Sequence, residues 1–356
     1  MAGEIGEADG KMMMTTTERE ATADVGRRLA AWAEVSAGGG SVDAVAPLSG
    51  NSGVNYAFTL NRDGMAEERL VLRLSPADVR RRGNTDVLRQ VPLLDALAHA
   101  GLPVAAIRWS EADSAIFGTD AYIQEFIDGR PLHMFDAALS IEGGPAEIEK
   151  MVRQGIDAMV AIHAFDWRAR LADWSPPRDI AAELDFWERL VDRMAEPDWI
   201  SEARAFADQL RATAPAAAPI GLVHGDLQMN NVLFSPRHDL LAVIDWEIAG
   251  IGPQPLDLGW LAFMTDSTCW HHDYLRDLRV RFEPDTLLEM YERAGGRPIE
   301  RFAWWQALAC FRFAVIAGFN LRLHRTGKRT DPLYETLVTS VPVMLARGRE
   351  LAEAGR

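Results

Sequence analysis

Residues 222–234 read LVHGDLQMNNVLF, a polar run set between an apolar pair and an apolar triplet. His224, Asp226, Gln228, Asn230 and Asn231 crowd into this run. Polar groups between two core segments must find partners, so the run is either a plain polar turn or a catalytic loop held between buried strands. The residues that follow separate the two readings. NVLFSPRHDLLAVID reads as strand, turn over 235–239 and strand, and a hairpin of that length returns Asp245 beside Asn231. An amide oxygen next to a carboxylate makes a pair of hard oxygen ligands, suited to Mg²⁺ with phosphates completing its shell. Asp226 then stands nearby, able to accept a proton from a hydroxyl. Phosphoryl transfer needs that arrangement: a metal to neutralise charge and a base to orient the nucleophile.

The rest of the chain supplies a frame for such a loop. Residues 1–17 are polar and without periodicity, the composition of a disordered tail. EREATADVGRRLAAWAEVS then places Val25, Leu29, Trp32 and Val35 at helical spacing. AVAPLSGNSGVNYAFTL, RLVLRLS and AAIRWSEADSAIFGTDAYIQEFIDG read as strands joined by turns, and TDVLRQVPLLDALAHAGLP as a helix with Pro92 inside it. Beyond DGRPL the pattern turns helical over 145–215, passes the short strands around 222–245 and is helical again over 256–355. The expected fold class is α+β and bilobal: a small antiparallel β lobe with one key helix over 18–123, a hinge at 124–130, and a large, mostly helical lobe over 131–356. A cleft between such lobes is where a ligand site is expected.

Bulk properties exclude several classes. The formal net charge of −15 opposes nucleic acid as a main partner. No apolar run approaches the length of a membrane span, and the acidic start MAGEIGEADGKMMMTTTERE lacks a secretion signal, so a cytoplasmic location and no membrane partner are expected. Cys269 and Cys310 cannot build a disulfide framework and are expected as buried thiols. His271-His272-Asp273 suggests a metal, but neighbours on a helix point apart, which disfavours a site there. Trp304-Trp305 and the run CFRF at 310–313 are expected in the core, with a pocket wall as the alternative.

His224-x-Asp226-x-x-x-x-Asn231 followed by VIDWE resembles the catalytic and metal loops of kinase-like phosphotransferases. More narrowly, HGDLQMNN and IDWEIAGIGPQPLDLGWL resemble the aminoglycoside phosphotransferase and choline kinase-like family, over most of the chain from about 42 to about 346. LVLRLSP, IHAFDW and FRFAVIAGFNLRLHRTG look nearest the branch related to the kinase domain fused to some acyl-CoA dehydrogenases. The resemblance implies an enzyme, a small-molecule kinase that moves the γ-phosphate of ATP, or of GTP, with Mg²⁺ to a small-molecule hydroxyl acceptor. It implies Asp226 as catalytic base and Asn231 and Asp245 as Mg²⁺ ligands, with Glu247 toward a second metal or its water. His224 is expected to buttress the loop, and Asp257 to tie it to the following helix. Gln228 and Asn230 are left open.

The same resemblance places the nucleotide. LSGNSGVNY would cover the phosphates through Ser49, Asn51 and Ser52. Arg73 occupies the place of a phosphate-pairing lysine, and Gln90 the place of its glutamate partner, with Asp86 as a substitute. YIQEFIDG would be the hinge, with Gln124, Glu125, Phe126 and Ile127 at the adenine edge. Three readings of function remain: an aminoglycoside phosphotransferase-like kinase, a kinase of a hydroxyacyl-CoA or other metabolic alcohol, and a nucleotide-binding module with little transfer activity. A monomer or homodimer is expected.

Overall fold

The computed structural model describes residues 16–48, 54–76, 81, 83–275 and 278–354. Ser49, Asn51 and Ser52, and most of the expected tail, lie outside the described residues. The chain divides into two compact units, residues 1–88 with 107–126 and residues 89–106 with 127–356. The class is mixed α+β.

The first unit begins with helix α1 (Thr16–Ser36), followed by strands β1 (Ser41–Leu48), β2 (Val54–Asn61), β3 (Glu68–Leu74), β4 (Ile107–Glu111) and β5 (Ala121–Glu125). The strands form one antiparallel sheet in the order β1-β2-β3-β5-β4. The unit is built by burying one stripe of α1 on this sheet: Val25, Leu29, Trp32 and Ala33 join Phe58, Leu60, Leu70, Leu72 and Ile123 in one cluster. Trp32 meets the ring of Phe58 edge-on at 5.9 Å. Val35, expected on the same stripe, is exposed. It lies ten residues beyond Val25, which turns it roughly 80° off that stripe.

The second unit opens with α2 (Gln90–His99), a helix that the sequence reading kept in the first lobe. Pro92 sits in its first turn, where no intrahelical N–H bond is required. Arg89 just before it donates to the Ala249 carbonyl at 2.9 Å, and its own carbonyl accepts from the Trp174 indole at 2.7 Å. Next come β6 (Arg130–Pro131), α3 (Pro145–His163), α4 (Trp167–Leu171), α5 (Ile180–Glu188) and α6 (Pro197–Ala212). Strands β7 (Ile220–Val223), β8 (Val232–Phe234), β9 (Leu240–Val243) and β10 (Gly250–Pro253) frame the polar run. They pair as β6-β8-β9 and β10-β7. Helices α7 (Pro255–Thr265), α8 (His272–Leu275), α9 (Pro284–Arg293), α10 (Phe302–Arg325), α11 (Leu333–Thr336) and α12 (Ser340–Ala354) complete the unit.

Helix α10 is the spine of this unit and packs on α7 and α12. Contrary to the sequence expectation, it is long and apolar enough to cross a membrane by length and composition, although most of it is buried inside the protein. Trp304, Trp305, Cys310 and Phe311 are all buried on it, as expected of a core. Cys269 and Cys310 are buried thiols with their sulfurs 3.7 Å apart. The His271-His272-Asp273 side chains do not diverge as a helix would make them: their ligand atoms lie within 4.8 Å of one another. Helix α8 starts only at His272 and is a single turn, so the helical spacing does not apply.

Candidate active site

The polar run is a loop between β7 and β8, and the second unit holds both ends. Strand β7 pairs with β10 through Val223 and Gly250, and β8 pairs with β9 through Val232 and Val243. The Ile244 N–H donates to the Asn231 carbonyl at 2.9 Å. The expected hairpin therefore forms, and it delivers Asp245 to the end of β8 that carries Asn231. Asp245 itself takes a left-handed backbone with φ 65°, unusual for a residue with a side chain. Trp246 next to it is buried and anchored by its indole N–H on the Val243 carbonyl at 2.9 Å. Asp245 and Glu247 flank that anchor and are both half-buried.

Asp226 is the hub of the loop. Its Oδ1 accepts from the Trp260 indole N–H at 2.7 Å and from the Gln228 amide at 3.1 Å. Its Oδ2 accepts from Asn231 Nδ2 at 3.0 Å, and the same Nδ2 donates to the Asp226 carbonyl at 2.8 Å. Burial pushes the Asp226 carboxyl up from its ordinary value to about 7, and the Asp245 charge adds to the rise. Arg312, Asn231 and Trp260 oppose it. Such a carboxyl sits near the middle of the physiological range, where a proton acceptor is most effective.

Below the hub, Asp257 holds the loop backbone. Its carboxylate is fully buried and accepts from the N–H groups of His224 and Gly225, both at 2.8 Å. It also meets His163 Nε2 at 3.2 Å, and His163 Nδ1 lies 2.9 Å from the Tyr291 hydroxyl. Burial raises the Asp257 carboxyl, but the hydrogen bond and charge of His163, with the Gly225 N–H, bring it below its ordinary value. Gly225 has φ +83°, and a Cβ there would stand 2.8 Å from the Ile248 carbonyl oxygen. No other residue type fits that turn without strain.

His224 is fully buried. Its Nε2 donates to the Ile244 carbonyl at 2.9 Å, while Nδ1 accepts from the Asp226 N–H at 3.2 Å. Burial holds its pKa below the ordinary histidine value, so it is neutral and serves as a strut between the loop and the residue before Asp245. Asn230, left open by the sequence, accepts from the Met134 N–H at 2.7 Å and fastens the loop to the segment after β6. As ligands to a metal, Asn231, Asp245 and Glu247 would offer oxygen atoms, since an amide nitrogen has no free lone pair to give. With Asn231 Nδ2 directed at Asp226, the amide oxygen remains as the atom to face a cation. This donor set fits Mg²⁺ better than a softer metal.

The remaining nucleotide candidates belong to different units. In the first, Arg73 is buried on β3, opposite Tyr122 of β5, with its guanidinium 5.9 Å from that ring. Gln124 and Glu125 are half-buried on β5, and Glu125 pairs with Arg108 at 2.5 Å. The Phe126 N–H is taken by the Arg69 carbonyl at 3.1 Å, which continues the β3–β5 ladder. In the second unit, the Ile127 carbonyl accepts from the Gly129 N–H at 3.0 Å. These two backbone groups, expected at an adenine edge, thus have partners within the chain. Gln90 is buried at the start of α2, in the second unit, whereas Arg73 lies in the first.

No local pattern in the sequence points to Trp260, Arg312 or His163 as parts of the site. DLGW was visible, but nothing in it says that the indole reaches Asp226.

The phosphotransferase enzyme family model matches residues 43–305. The chain is 28% identical over 277 residues to acyl-CoA dehydrogenase family member 10 of Mus musculus, an alignment covering 75% of this chain and 26% of that protein. It thus spans about a quarter of that relative's length. Among solved structures, a candidate aminoglycoside phosphotransferase of Ralstonia eutropha aligns with TM-score 0.74 and 23% identity, over 93% of this chain and 98% of that one. A thermostable aminoglycoside phosphotransferase mutant in ternary complex with AMP-PNP and hygromycin B aligns with TM-score 0.55 and 18% identity, over 96% and 99%. These likenesses show a kinase-like phosphotransferase fold, and the match over residues 43–305 makes the chain a member of the phosphotransferase enzyme family.

Proposed function

We propose that the protein transfers the γ-phosphoryl group of ATP, as its Mg²⁺ complex, to a hydroxyl of a small molecule, with Asp226 as the base. The observation that carries this reading is the Asp226 carboxylate, held by three side-chain donors and raised to about 7, next to the hairpin that presents Asn231 and Asp245. Asp226 orients the acceptor hydroxyl and takes its proton as the oxygen attacks phosphorus. Asn231 and Asp245 hold the metal, with Glu247 beside them. Mg²⁺, when bound, neutralises charge on the phosphates. His224 and Asp257 keep the loop in register. A related structure holding AMP-PNP supports the adenine nucleotide.

The acceptor is the finer part of the reading. An aromatic run starts at Trp260, continues through Phe263 and Phe313 at 5.8 Å each, and reaches Trp270, Tyr274 and Phe135 through ring contacts of 5.0 to 5.5 Å. Trp260, Phe263 and Trp270 are buried, while Phe135, Tyr274 and Phe313 are half-buried, and these partly exposed rings suit an alcohol with an apolar part better than a polycationic aminoglycoside. Arg325, which could have met an anionic acceptor, is bound to Glu196 and Glu335. The relation to an acyl-CoA dehydrogenase family member makes a hydroxyacyl thioester the first acceptor to try. An ADP-release screen with ATP and Mg²⁺ against hydroxyacyl-CoAs, aminoglycosides and amino alcohols tests both levels. Turnover by the Asp226→Ala protein equal to the parent's would remove Asp226 as base. Turnover with aminoglycosides alone would overturn the apolar acceptor.

A further inference from the structure

A carboxylate oxygen has two lone pairs directed at donors. Oδ1 of Asp226 receives two N–H groups, from Trp260 at 2.7 Å and Gln228 at 3.1 Å. Oδ2 receives one, from Asn231 at 3.0 Å. The two oxygens are therefore unequal: Oδ1 is filled, and Oδ2 keeps one lone pair.

The two donors on Oδ1 are unequal as well. Gln228 is half-buried on the loop, with a flexible side chain. Trp260 is buried, rigid and packed against Phe263 and Phe313. The Arg312 guanidinium lies over its ring, 4.8 Å from the centroid, and over Trp187 at 4.7 Å. Arg312 is itself buried; its Nε and Nη1 have no hydrogen-bond partner among the described residues, and the two indole faces hold it together with the charges of Glu183, Asp226 and Asp257. Trp187 is fixed in turn, because its indole N–H donates to Glu183 at 2.7 Å while Arg178 donates to the other oxygen of Glu183 at 2.6 Å. A cation over an indole face draws electron density from the ring, which strengthens its N–H as a donor. The stack Trp187–Arg312–Trp260 ends on Oδ1 of Asp226.

We propose that Trp260 is a positioning residue for phosphoryl transfer: its indole N–H holds Oδ1 of Asp226 and turns Oδ2 toward the acceptor as the proton-accepting atom. The inference rests on Asp226 being the base. In the step, the acceptor O–H bond breaks and its proton moves to Oδ2. The acceptor oxygen forms a bond to the γ-phosphorus of ATP. The bond from that phosphorus to the bridging oxygen breaks, and its electron pair leaves on ADP. A Trp260 that only filled the core would be replaced by phenylalanine with no effect on the chemical step.

Two measurements test it. The first is the ¹H–¹⁵N spectrum of the indole groups of the eleven tryptophans. The Trp260 signal, assigned through the backbone, is expected downfield in the parent and displaced in Asp226→Ala; an unmoved signal overturns the contact. The second is steady-state ADP release from ATP and Mg²⁺ with water as acceptor, repeated with any alcohol that the screen identifies. Trp260→Phe is expected to lose roughly tenfold to a hundredfold in kcat, as for one hydrogen bond to a charged group, with KM for ATP within about twofold of the parent. Adding Trp260→Phe to Asp226→Ala should cost no further rate. Trp260→Phe with the parent's kcat, or a loss that adds fully to that of Asp226→Ala, overturns the proposal. If Asp226→Ala alone keeps the parent's rate, the base assignment has failed instead.

Discussion

At the scale of single residues, Asp257 carries more of the site than its position in a helix suggests. Its carboxylate satisfies two loop N–H groups and faces His163, with no access to solvent. Asp257→Asn replaces one acceptor oxygen by a donor that opposes a loop N–H, and we expect a loss of about 2–4 kcal/mol, read from urea unfolding at pH 7. The sign of the pH dependence follows from the direction of the shift. The folded carboxyl lies below its ordinary value of 3.8. It therefore stabilises the fold fully above that value, and the contribution is lost as pH falls below 3.8 through the lower folded value. The parent should lose stability faster than Asp257→Asn in that acid window; parallel pH profiles would refute it. Gly225→Ala, forced into φ +83° against the Ile248 carbonyl, is expected to cost about 1–3 kcal/mol in the same assay.

At the scale of elements, the hairpin β8–β9 and helix α7 place the chemistry. The hairpin was legible because NVLFSPRHDLLAVID has two apolar runs around a turn, and a turn of fixed length fixes which residues face each other. The loop ends were legible for the same reason. Helix α7 was not. Gly259 lies in α7 between Asp257 and Trp260, and a Cβ there would stand 2.6 Å from backbone atoms of Trp305 in α10. That close approach sets the depth of α7 and with it the reach of Asp257 and Trp260. In an exposed helix Gly→Ala would stabilise by about 1 kcal/mol. Here we expect Gly259→Ala to destabilise by about 1–3 kcal/mol through overpacking. ADP release should fall further than the loss of folded protein accounts for. A rise in melting temperature would show that α7 and α10 do not meet in this way.

At the scale of the whole molecule, ligand linkage reports the site through global stability. A nucleotide–metal complex bound only to the folded state raises stability by about 2.7 kcal/mol at a hundred times its Kd. ATP with Mg²⁺ should raise the melting temperature of the parent, and Asn231→Ala or Asp245→Asn should remove the Mg²⁺-dependent part. An equal shift in those variants would take the metal away from them. The charge of −15 leads to a second expectation: no retention of the protein by duplex DNA in fluorescence anisotropy near physiological salt.

The sequence alone determined the β-rich start, the helical remainder and the series His224, Asp226, Asn231, Asp245, because period, turn chemistry and short-range spacing are local properties. It also marked His224 as support, since a histidine between apolar segments is usually buried and satisfied. Only the tertiary structure decided what reaches Asp226 from far along the chain. Trp260 is 34 residues away and Arg312 is 86, on helices whose depth and rotation depend on packing against each other. The tertiary structure likewise grouped the segment 89–106 with the second unit and gave the Phe126 N–H to Arg69. Contacts of that kind arise from which faces of distant elements close-pack, and no local pattern encodes them.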